Sequence, residues 1–171
     1  MFTREIDVLL TTTMKPILFF IVFTTAISTA RARLGETREE CDVRYGSLVS
    51  VKDDFRPDFP QYCYAKNDVE IRVRFWQGKV GQIIISSDHG MADNTISEIL
   101  QGNAEGSSWK IDNIQTRKIQ DPKTYSVACF YRRADGNATA EYHKMQAIDS
   151  DTIVIETSKF NDAFNAKASG F

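Results

Sequence analysis

Histidine is scarce in this chain: His89 and His143 are the only two among 171 residues, and histidine is the side chain whose ordinary pKa puts a charge change near neutral pH. General acid–base chemistry therefore has few carriers. No C-x-x-C or H-x-x-x-H spacing offers a metal site, no G-x-S-x-G offers a nucleophile elbow, and no glycine-rich run offers a phosphate cradle. No cofactor is expected. Basic residues are not in excess, with 21 Lys and Arg against 23 Asp and Glu, so the charge balance gives no case for nucleic acid. Cysteine is limited to Cys41, Cys63 and Cys129. That odd number allows one disulfide plus a free thiol, or three buried reduced thiols, because cysteine is a good small hydrophobe.

A long membrane span is also missing. The most apolar run, Ile17 to Ile27, is about half of the roughly 20 residues a spanning helix needs. Lys15 precedes it and Ser28, Thr29, Ala30 and Ala32 follow, which is the layout of a secretory signal peptide with an A-x-A site at Ala30-Arg31-Ala32. Residues 1–32 are read as that signal, removed by cleavage after Ala30 or Ala32, with no stable membrane span afterwards. Met14-Lys15-Pro16 makes a better signal start than Met1, since Glu5 and Asp7 fall in what should be a positive segment. The removed segment carries Arg4, Lys15 and Arg31 against Glu5 and Asp7, so a formal charge of −2 becomes −3 for the remainder. What is left is long enough for one ordinary domain with a real core.

Its clearest pattern runs from Gln61 to Ser87. Between Val69 and Trp76, Val69, Ile71, Val73 and Phe75 alternate with Glu70, Arg72, Arg74 and Trp76, as a strand with one core face and one wet face requires. Gln77-Gly78 supplies the turn, and Lys79 to Ser87 returns with Ile83, Ile84 and Ile85 at its centre. Upstream, Thr37 and Glu40 have the spacing of a capping box and Gly46 that of a stop, predicting a short helix with Cys41 and Tyr45 on one side. Ser47 to Pro60 reads as a loop in which Asp53-Asp54 are solvated.

The pattern then restarts. Thr95 and Glu98 repeat the box, Ile96, Ile99 and Leu100 form an apolar stripe, and Asp135-Gly136 joins predicted strands Thr124 to Arg133 and Asn137 to Met145. Thr37 to Thr95 and Gly78 to Gly136 share one offset of 58, which suggests two tandem helix-plus-three-strand units, 35–92 and 93–150. Trp109 lies in a polar stretch and reads as a core plug. Asp151 to Glu156 reads as a last strand, although Asp149 and Asp151 themselves read as solvated. Residues 33–160 thus form an α+β domain, an antiparallel sheet backed by two short helices, and 161–171 are expected to fray.

The opening L-G-E-T-R-E-E-C-D-V-R-Y-G and the later V-R-F-W-Q-G-K-V resemble small exported bacterial proteins of unknown function. The helix, glycine stop and three-stranded meander resemble, more loosely, modules of the BamE/SmpA outer-membrane assembly type and the tandem modules of β-lactamase inhibitor protein. No cysteine stands at the cleavage site, a departure from the lipid-anchored BamE type. The resemblance implies a non-catalytic interaction module.

The expectation is therefore a secreted or periplasmic protein, not an enzyme, that binds a protein partner of the cell envelope through an exposed sheet face. Alternation sets Arg72, Arg74 and Trp76 on that face, and the offset of 58 carries the assignment to Phe130 and Arg132. Aromatics beside arginines are the composition that interfaces favour. The alternative is a small hydrolase or thiol enzyme using Cys129 and His143. Asn137-Ala138-Thr139 matches a glycosylation acceptor, which the adjacent tight turn explains as well.

Overall fold

The computed structural model of the protein describes residues 33–53, 56–118, 125–145 and 150–168; the signal reading of residues 1–32 and the solvated reading of Asp54 and Asp149 lie outside these residues. In chain order the elements are α1 (Arg38–Tyr45), β1 (Ser50–Lys52), β2 (Gln61–Lys66), β3 (Val69–Trp76), β4 (Lys79–Ser87), α2 (Asp93–Gly102), β5 (Trp109–Lys118), β6 (Tyr125–Arg133), β7 (Ala138–Met145), β8 (Ser150–Thr157) and α3 (Ser158–Ala168). These eight strands form one antiparallel sheet in the order β1-β2-β3-β4-β8-β7-β6-β5. The fold is α+β.

Local chemistry explains the first half. In α1 the Thr37 hydroxyl accepts from the Glu40 amide at 3.3 Å while the Glu40 carboxylate accepts from the Thr37 amide at 2.7 Å. That reciprocal box satisfies two donors the helix start would leave bare, and loss of such a cap costs about 1 kcal/mol. The turns Asn67-Asp68 and Gln77-Gly78 have positive φ at both central residues, the geometry whose twist matches the flanking strands. β3 then pairs with β4 from Val69 opposite Ser87 to Trp76 opposite Lys79. Tyr64, Ile71, Val73, Ile83, Ile85, Ile153 and Ile155 are buried on the sheet face that α1 and α2 cover, beside Cys41, Tyr45, Ile96, Ile99 and Leu100.

Several expectations need correction. β5 runs through residues expected to be loop, with Trp109 opening it and packing against the core rather than plugging it from a loop. β1 lies inside the Ser47 to Pro60 stretch and pairs with β2 at the sheet edge. The second capping box does not form: α2 starts at Asp93, two residues before Thr95, with Ala92 at the cap and no side-chain cap bond. Asp93 in the first turn suits the positive end of the helix dipole instead. Matching β1–β4 with β5–β8 makes the strand order symmetric about the β4–β8 junction, and this sets Gly78 between β3 and β4 but Gly136 between β6 and β7. The offset of 58 therefore links two different hairpins. Asp151 is fully buried, its Oδ2 accepting from the Met91 amide at 2.6 Å and the Tyr142 hydroxyl at 2.7 Å. It ties the approach to α2 onto β7 and β8.

The tail is the largest correction. Residues 158–168 form α3, which packs against β4 and β8. Phe160 is fully buried and meets Phe59 and Phe164, both at 5.5 Å between ring centres. This aromatic cluster is separate from the main core and lies on the opposite sheet face, where Phe164 sits beneath Arg74. Gly81 makes the close approach feasible: it is the extra residue where Arg74 pairs with Gln82 and Phe75 with Val80, and a Cβ there would stand 2.6 Å from the Phe160 ring. Gly81→Ala is accordingly expected to lower unfolding free energy by about 1–3 kcal/mol through overpacking, measured by denaturant titration; an unchanged midpoint would mean that α3 is not seated as described.

Burial pushes the Cys41 thiol up to about 12, with the Glu36 and Asp42 carboxylates adding to the shift. Burial likewise raises Tyr45, Tyr64 and Tyr142. In the unfolded chain these groups release protons near about pH 8.5 and 10. The folded state holds them longer, so stability is complete below about pH 8.5 and is lost as pH climbs toward about 12. Thermal melts should show a level midpoint from about pH 7 to 8.5 and a steady fall above about pH 9; a midpoint still level at about pH 11 would contradict the burial of these groups.

Candidate binding face

Helices α1 and α2 cover one face of the sheet, and strand register defines what the other presents. One row runs Gln61, Arg74, Gln82, Glu156, Thr139, Arg132 and Lys110 across seven strands. The next runs Cys63, Arg72, Ile84, Val154, Glu141, Phe130 and Asn113. Directly opposed side chains in such rows lie close enough to interact. Arg74 donates through Nη1 to Gln82 Oε1, and Gln82 Nε2 donates to Glu156 Oε2 at 2.9 Å. Arg72 Nη2 donates to Ser86 Oγ at 2.8 Å, and Ser86 and Thr152 hydroxyls lie 3.2 Å apart. Polar tethers therefore hold the two arginines against β4 and β8, while Ile84, Val154 and Phe130 stay half-buried between them and the far edge.

The five residues singled out in the sequence fall into two groups. Arg72, Arg74 and Trp76 are on β3, and Phe130 and Arg132 are on β6, four strand steps away through β4, β8 and β7. At the usual interstrand spacing that is about 19 Å. All five belong to the face opposite α1 and α2, yet they do not make one contiguous patch. Trp76 packs on Phe59, with ring centres 6.0 Å apart, and is half-buried by the loop that carries Phe59. Arg132 is exposed and pairs with Asp112 at 3.2 Å, a surface contact worth little. Phe130 and Arg132 line a recess of about 230 Å³ with Asp112, Glu141, Val154 and Glu156.

At the other end, Lys52, Asp53, Arg56, Phe59, Gln61, Arg72 and Arg74 line a cleft of about 340 Å³. Arg56 and Arg74 both stand over the Phe164 ring, with guanidinium carbons 4.8 and 5.5 Å from its centre. Such contacts contribute about 0.5–1 kcal/mol each at exposed sites. Sequence reasoning misses Lys52, Arg56 and Phe164: two lie in what reads as loop, and the third in what reads as a frayed tail. The usable signal is Phe160 and Phe164 at i, i+4 spacing.

Cys129 and His143 do not meet. β6 pairs with β7 so that Cys129 faces Tyr142 while Ala128 faces His143. The thiol thus leaves the sheet on the helix-covered face and the imidazole on the other. His143 Nε2 instead lies 2.8 Å from Glu141, and His89 is exposed in the turn after β4. All three cysteines are unpaired. Among the described residues no group of three or more His, Cys, Asp or Glu side chains is placed to hold a metal ion, and no helix is long and apolar enough to cross a membrane.

No protein-family model matches the chain, and no curated protein matches it either. A solved structure with a partial likeness is a cysteine-rich secretory protein from Staphylococcus aureus, 11% identical, with a TM-score of 0.42. The likeness covers 74% of this chain and 44% of that protein, so the chain spans less than half of that protein's length. A likeness of that degree carries no functional argument.

The burial difference between the two groups has a measurable consequence. Trp76→Ala should lower stability by about 1–3 kcal/mol because the ring is packed on Phe59, whereas Arg132→Ala should stay within about 0.5 kcal/mol of the parent. Denaturant midpoints at constant slope measure both. Equal losses would show that the two ends of the face are equally packed.

Proposed function

We propose that this chain is a non-catalytic, secreted or periplasmic interaction module that docks a protein partner of the cell envelope on the open face of its sheet. The observation that carries the reading is the composition of that face. Arginines tethered at one end, half-buried Ile84 and Val154 side by side with Phe130 beyond Glu141, and an exposed arginine at the other end supply apolar side chains within a charged surround. Stable interfaces are built that way, with aromatic and arginine anchors surrounded by polar contacts. The lost Cys129–His143 arrangement leaves the thiol-enzyme alternative without its geometry.

The test is capture of a partner from the host's own envelope fraction, comparing the parent with Phe130→Ala/Arg132→Ala and with Val43→Ala on the outer side of α1, where Val43 is 89% exposed. The face variant should lose capture of the dominant partner by about tenfold or more while keeping its thermal midpoint. The Val43→Ala control should capture normally. Full capture by the face variant, or equal loss in the control, would sink the docking reading.

A further inference from the structure

The cleft at the β1–β3 end differs from the rest of the open face in the sign and crowding of its charge. Lys52, Arg56, Arg72 and Arg74 converge there, and among the described residues Asp53 is the one carboxylate of the lining. Glu70 stands at the rim, 3.7 Å from Lys52 and 3.6 Å from Arg72, and Glu156 is tied to Gln82 one strand beyond. Among the described residues no ion pair joins Arg56 or Arg74 to a carboxylate, the Arg74 Nε is buried without a hydrogen-bond partner, and the Arg72 Nε faces Glu70 at 3.6 Å. Burial also lowers the Arg74 pKa, with the Arg72 and Arg56 charges next in size. Of the four cations, Lys52 and Arg72 share Glu70, while Arg56 and Arg74 rest on the Phe164 ring.

We propose that this cleft is an acceptor for the side-chain carboxylates of an acidic peptide segment, presented by the protein that docks on the open face. The assignment rests on the docking reading above and names the chemistry of its partner. Arginine forks recognise carboxylates through paired hydrogen bonds. The volume of about 340 Å³ lies within the range of built ligand sites and exceeds what one small oxyanion fills. Arg72 and Arg74 also stand in the two rows that lead across Ile84 and Gln82 toward Phe130 and Arg132, so a segment seated here lies on the same sheet face as those residues.

The experiment titrates the full chain, as its host produces it, with the blocked peptide Asp-Glu-Phe-Asp-Glu, its amide counterpart Asn-Gln-Phe-Asn-Gln, and inorganic phosphate. Calorimetry reads affinity, and the NMR signals of the arginine Nε–H groups read location. The acidic peptide should bind, shift the Arg72 and Arg74 signals, and weaken as salt is raised. The amide counterpart should bind about tenfold more weakly or not at all. Arg56→Gln/Arg72→Gln should lose the acidic peptide by about tenfold, while Arg132→Gln should change it by less than about twofold. Lys52→Gln, on an exposed side chain, provides a second variant should the double one fail to fold. Equal binding of the amide peptide, no loss in the cleft variants, or displacement of the acidic peptide by equimolar phosphate would each overturn the assignment. The partner-capture assay separates this proposal from the docking reading: normal capture by Arg56→Gln/Arg72→Gln overturns the cleft alone, whereas peptide binding by a chain that captures no partner overturns docking alone.

Discussion

Everything in this molecule depends on the pairing of β4 with β8. These strands meet at the centre of the sheet, Ile83 opposite Ile155 and Ile85 opposite Ile153, and join two halves that are each a helix followed by four strands. All four isoleucines are 3% exposed or less, and each contributes on the order of 1.5–3 kcal/mol by leaving water. Without the junction, two four-stranded sheets would each present an unpaired edge rich in isoleucine and valine, the kind of edge that invites aggregation. The pairing also joins residues far apart in sequence, so its loop-closure cost falls late and predisposes the chain to slow folding. Core and open face alike are consequences of it, because the same two strands turn Ile84 and Val154 outward opposite one another.

Legibility in the sequence followed burial. β3 and β4 are central and half-buried, so their side chains alternate or cluster as the pleat demands, and their bounds were readable from residues alone. β5 is an edge strand whose Ile111 and Ile114 are 60% and 57% exposed; residues 110–114 are all exposed, so this stretch shows no alternation to read. α1 and α2 carry the same T-x-x-E letters, yet only Thr37 and Glu40 form the box. The helix of α2 is nucleated by what lies before Thr95 and by the stripe Ile96, Ile99 and Leu100 that packs on the sheet. A motif of four residues states a local preference, and tertiary packing decides where the helix starts.

Asp151 shows the opposite failure. An aspartate at the head of a strand reads as solvated because carboxylates are seldom fully buried, but here two donors, the Met91 amide and the Tyr142 hydroxyl, converge on one of its oxygens. Neither donor is adjacent in sequence. The candidate site was legible in the same partial way. Period-two alternation placed Arg72, Arg74 and Trp76 on one face correctly, and the register of β6 put Phe130 and Arg132 there too. Alternation carries no information about separation across the sheet or about what covers a strand end, so neither the gap between the two groups nor the shielding of Trp76 by Phe59 was visible.

Shielding and recognition are linked through α3. Its Phe160 occupies the notch that the absence of a side chain at Gly81 leaves in β4, and this fixes where Phe164 falls one turn later. Phe164 in turn supports the guanidinium groups of Arg56 and Arg74. A helix laid over one end of an open sheet would ordinarily subtract from the surface available for contact. Here it adds an aromatic ring against two of the cations that line the cleft, Arg56 and Arg74, which the loop and β3 bring in. The bulge at Gly81 is therefore a positioning device for charge as much as a packing accommodation, since moving Phe160 outward would carry Phe164 away from both arginines and leave them to the solvent.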